Sequence, residues 1–73
     1  MLFLIEYDRD KGQVVLMQRF DEKAKAEQSR LNLELKLNRI GVAHEVVLLD
    51  APSEEALRRT HRRYFEDLLE LAS

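Results

Sequence analysis

The stretch Asp21–Asn38, DEKAKAEQSRLNLELKLN, decides how this chain folds, because it can be read in two ways. Leu31, Leu33, Leu35 and Leu37 alternate with polar residues, which is the period of a half-buried strand. The same window holds no Val, Thr, Tyr, Phe or Trp and is filled with Leu, Ala, Glu, Lys, Gln and Arg. Those side chains lose least rotamer freedom in a helix. Asp21 is placed to cap its start, and Gly41 stands where a left-handed residue ends a helix. Composition outweighs alternation, and the stretch is read as a helix.

This helix has two apolar sides. At about 100° per residue, Ala24, Leu31 and Leu35 line one side, and Ala26, Leu33, Leu37 and Ile40 line the other. Lys25, Ser29, Asn32, Lys36 and Arg39 separate them on one flank, and Lys23, Glu27, Arg30 and Glu34 on the other. A helix lying on a sheet needs one apolar stripe. Two opposed stripes ask for two surfaces, the second being the other helix of this chain or another copy of it, and the stripe Ala26, Leu33, Leu37, Ile40 is read as an interface with a second copy.

Working outward, LFLIEY (2–7) and QVVLMQRF (13–20) read as strands joined by a short loop, DRDKG, with Gly12 able to take positive φ. After the helix, VAHEVVLLD (42–50) reads as a third strand. Pro52 and Ser53 then open a second helix, with Glu54 and Glu55 suiting its positive end. Apolar spacing continues through Leu57, Tyr64, Phe65, Leu68, Leu71 and Ala72. The expected fold is α+β: a two-layer ββαβα domain spanning residues 1–73, with a three-stranded mixed sheet and two helices. Strand order 2-1-3 is preferred over 1-2-3, because the first strand is the most apolar.

Both faces of the strands are apolar, so two helices on one face would leave the other face bare: either the helices divide between the two faces, or a second chain covers one. A chain of 73 residues buries only about 60% of the surface its unfolded form exposes. It has no cysteine for disulfides and only two widely spaced histidines, so neither a disulfide nor a structural metal is expected to stiffen it. Association as a homodimer is the device left. A net charge of −2, from 12 basic and 14 acidic residues well mixed along the chain, sets up no field that would gather nucleic acid or a membrane surface. The opening MLFLIEYD has no basic residue before its apolar run, and Glu6 interrupts that run too early for a signal peptide. The expectation is a cytoplasmic protein.

The chemistry-bearing residues each have a plain reading beside the functional one. Arg58, Arg59, Arg62 and Arg63 form a basic face that could grip phosphates, which makes anion or nucleic-acid binding the alternative function. Yet Glu54, Glu55, Glu66 and Asp67 stand four residues from them, the spacing of helical ion pairs. His44 and Glu45 are strand neighbours pointing to opposite faces and cannot share a metal. Asp50 and His61 would form an acid–base pair only if the second helix turned back over the end of the sheet. Asp8, Asp10 and Gly12 resemble the start of a calcium loop, but Arg19 stands where its bidentate Glu belongs. No phosphate loop, nucleophile elbow or zinc-protease motif is present. The residues therefore point to a small interaction or structural module, with no catalytic residue, metal or cofactor assigned.

Overall fold

A computed structural model describes residues 1–65 of the chain. The elements run β1 (Leu2–Asp8), β2 (Gln13–Phe20), α1 (Lys23–Ile40), β3 (Glu45–Asp50) and α2 (Glu54–Thr60), followed by a 3₁₀ turn at Arg62–Tyr64. The α+β class, the ββαβα order and the strand order β2-β1-β3 are as the sequence reading has them. Both ladders are antiparallel. β2 and β3 therefore run parallel to each other, but β1 stands between them and no parallel ladder forms. In hydrogen bonding the sheet is antiparallel rather than mixed.

Local chemistry sets the joints. In the hairpin, the Asp8 carboxylate accepts from the amides of Asp10 and Lys11 at 3.0 and 3.2 Å, and Gly12 takes φ 64°. The Asp8/Asp10/Gly12 pattern is thus a turn. α1 begins one residue later than Asp21 would place it, with Glu22 in extended geometry and no side-chain cap. Its far end is closed more firmly. Gly41 takes φ 73°, its amide donates to Asn38 O, and the Val42 amide donates to Leu37 O at 2.9 Å. That wrap draws Val42–His44 away from the sheet, so β3 starts at Glu45 rather than Val42. At α2 the Ser53 hydroxyl accepts from the Ala56 amide at 3.1 Å, as expected of a cap.

The two helices cover opposite faces of the sheet. Phe3 and Ile5 form one cluster with Ala51 and Leu57, joined by Tyr7, Val14, Met17, Val47, Leu49 and Phe65. Leu4 points to the other face by the strand's two-residue period, and it is fully buried. The buried side chains available on that side are Ala26 and Leu37 of α1. The layers are therefore helix, sheet and helix, three where two are expected. The reason lies in β1, whose residues Phe3, Leu4, Ile5 and Glu6 are all buried. A strand apolar on both faces must be covered on both.

The second helix is shorter than its apolar spacing suggests. Thr60 turns its hydroxyl back to Ala56 O at 2.9 Å, and His61 leaves helical geometry at φ −120°, ψ 52°. The break re-aims the chain so that Tyr64 is buried against the sheet. The expected continuation through Leu68, Leu71 and Ala72 lies outside the described residues.

Truncating Leu57 to Ala should remove about 2–5 kcal/mol. That is a large part of the roughly 4–11 kcal/mol expected of a domain this size. Urea unfolding followed by circular dichroism measures it, and a loss below about 1 kcal/mol would place Leu57 outside the core.

Candidate functional site

Two polar clusters sit at the hairpin end of the sheet, one on each face. On the α1 face, Glu6 interrupts the apolar run of β1 and its residue is buried. A buried carboxylate requires a partner. His44 supplies it: Nδ1 lies 2.5 Å from Glu6 Oε2, while Nε2 lies 3.5 Å from Asp8 Oδ2. The imidazole is thus clamped between two carboxylates two residues apart on one strand. Nδ1 is hydrogen-bonded to Glu6, while Nε2 is only within ion-pair distance of Asp8. The arrangement acts as a polar pin that ties the β3 entry to β1.

On the opposite face, Glu45 is the hub. Its Oε1 accepts from Tyr64 Oη at 3.2 Å and from Arg63 Nη2 at 3.3 Å. Arg63 also donates to Tyr64 Oη at 2.5 Å and lies over the Tyr64 ring. That hydroxyl, ahead of the Glu45 carboxylate, pushes the Arg63 guanidinium above its already high pKa, so it is a fixed cation. Tyr64 meets Tyr7 edge-on at 5.1 Å, and Tyr7 Oη donates to Arg63 O at 3.4 Å. Glu45 Oε2 is buried without a hydrogen bond, and Arg9 Nε lies 3.6 Å from it. This network holds the 3₁₀ turn against the sheet. His44 and Glu45 do point to opposite faces, as neighbours in a strand must.

The arginine cluster is drawn into ion pairs. Arg58 donates to Glu54 through Nε and Nη2 at 3.1 and 2.9 Å, and Arg59 pairs with Glu55 at 3.1 Å. Arg63 turns to Glu45, and Arg62 is exposed in the 3₁₀ turn. The other expected partners, Glu66 and Asp67, lie outside the described residues. Asp50 and His61 are not brought together. Asp50 holds the Met1 amine at 3.1 Å, while His61 Nδ1 meets the Thr60 hydroxyl at 3.0 Å. Among the described residues no group of three or more His, Asp and Glu is placed to hold a metal ion. None of their helices is long and apolar enough to cross a membrane.

The apolar surface is distributed differently from the sequence reading. Of the four residues assigned to an interface, Ala26 and Leu37 are buried against the chain's own sheet, and Leu33 is half-buried. Ile40 lies on the same side but is 58% exposed at the helix end. The stripe in solvent is the opposite one, with Leu31 48% and Leu35 53% exposed. A second apolar stretch lies on the outer strand β2, where Val15 is 54% exposed. A groove of about 410 Å³ runs beside it, lined by Gly12–Met17, Arg58, Tyr64 and Phe65. Pairing moves from Glu6↔Leu16 to Tyr7↔Val14, so Val15 is an extra residue, a bulge. Bulges on outer strands discourage pairing with another chain's strand.

No family model, curated protein or solved structure matches this chain.

Because Glu6 and His44 hold each other, their substitutions should not add. Replacing Glu6 by Gln, His44 by Ala, and both together in a double-mutant cycle should give a coupling of about 0.5–3 kcal/mol in urea unfolding. Additivity within about 0.3 kcal/mol would show that the pin contributes no pairwise stability.

Proposed function

We propose that the chain is a small self-associating interaction module that works through the outer face of α1. One observation carries this reading: α1 has two apolar stripes, its own sheet takes Ala26, Leu33 and Leu37, and Leu31 and Leu35 remain in solvent. An apolar pair kept on the outer side of an 18-residue helix is a surface ready for another helix. The small size of the domain adds to this. A chain of 73 residues without disulfides gains margin from association. The bare sheet face that also argued for a dimer is no longer part of the case, because the two helices cover both faces.

Anion binding by the arginine face has less in its favour. Arg58, Arg59 and Arg63 each already hold a carboxylate, and a phosphate would have to displace it.

Light scattering over a concentration series should show mass rising toward that of a dimer. The variant carrying Leu31→Gln and Leu35→Gln should stay monomeric. Its urea stability, compared where the wild type is also monomeric, should match within about 0.5 kcal/mol. A wild-type chain that stays monomeric throughout contradicts the proposal, as does an undiminished dimer in the variant.

A further inference from the structure

We infer that the partner on the outer face of α1 is a second copy of α1 lying parallel and in register with the first. This rests on the self-association proposed above and adds its direction and pairing. In a heptad frame the solvent-facing seam is Ala24, Gln28, Leu31, Leu35 and Asn38, with Leu31 and Leu35 as its apolar centre. The residues flanking the seam differ in sign. Lys25, Asn32 and Arg39 border it on one side, and Glu27 and Glu34 on the other. All five are exposed. Among the described residues, Glu27, Glu34 and Arg39 have no ion-pair partner within the chain.

This asymmetry selects an orientation. A two-fold axis along the helices brings the acidic flank of one copy against the basic flank of the other. Glu34 then meets Arg39 of the second copy, five residues further on, and symmetry makes the pair twice. A two-fold axis across the helices brings each flank against its own kind. Lys25 would then face Arg39, and Glu27 would face Glu34. Like charges at such positions oppose association. The parallel arrangement also sets Gln28 against Gln28 and Asn38 against Asn38, where side-chain amides donate to and accept from each other at either end of the leucines.

Charge reversal reads the orientation by its sign. In the parallel pair, Glu34→Arg sets a second guanidinium against Arg39 and should weaken dimerisation roughly three- to tenfold, the scale of two exposed ion pairs. Adding Arg39→Glu should restore it. In the antiparallel pair, Glu34→Arg would face Glu27 and tighten the dimer. The chain has no cysteine, so Asn38→Cys offers an independent measurement. Parallel, in-register helices bring the two thiols within disulfide reach. Antiparallel helices hold them on the order of 15 Å apart, at a 1.5 Å rise per residue. Sedimentation equilibrium of the charge variants and oxidative cross-linking of the cysteine variant should give weakening, restoration and a covalent dimer. A tightened Glu34→Arg dimer without Asn38→Cys cross-linking overturns the parallel arrangement and leaves self-association standing. A wild type that remains monomeric overturns both.

Discussion

Everything in this domain follows from the burial of β1 on both sides. Phe3 and Ile5 face one way and Leu4 the other, and all three are almost wholly removed from water. Each contributes about 1.5–3 kcal/mol relative to exposure. A single helix can cover only one face of a sheet, so this strand commits α1 to one side and α2 with its 3₁₀ extension to the other. The strand order has the same cause, since only a middle position gives β1 neighbours on both edges. Among the described residues, each face of the sheet thus carries one helix.

The two polar clusters solve the problem this burial creates. At the hairpin end β1 changes from apolar to acidic, and Glu6 is carried under cover with its neighbours. A buried carboxylate without a partner destabilises, while a paired one helps fix a unique arrangement. His44 supplies that partner on the α1 face, and Arg63 with Tyr64 does the same for Glu45 on the α2 face. Each cluster joins an element that follows a loop back to the sheet: the β3 entry in one case, the 3₁₀ turn in the other. Both clusters tie those segments to the sheet.

Much of the fold was legible because local signals agreed. The Leu, Ala, Glu and Lys content of 23–40 outweighed the alternation of its leucines, and Gly41 marked the end through a backbone position that disfavours side chains. Ser53 marked the start of α2 by its hydroxyl. The length of α2 was not legible. Leu57, Tyr64 and Phe65 keep helical spacing whether the helix continues or breaks after Thr60 to aim Tyr64 at Tyr7. Which stripe of α1 faces inward was not legible either, because the two are of similar strength in composition, and only packing onto Leu4 separates them. The Glu6–His44–Asp8 pin lies between residues far apart in sequence. Its one local trace was a charged residue in the middle of LFLIEYD.

The most direct test of this account is a methyl nuclear Overhauser spectrum of the monomer, because it assigns each helix to a face. The Ile5 methyls should show cross-peaks to Leu57 and none to α1, while the Leu4 methyls should show them to Ala26 and Leu37 and none to α2. If Leu57 and Ala26 instead share cross-peaks with the same β1 side chain, both helices lie on one face, the sheet has an uncovered side, and the helix–sheet–helix arrangement is contradicted.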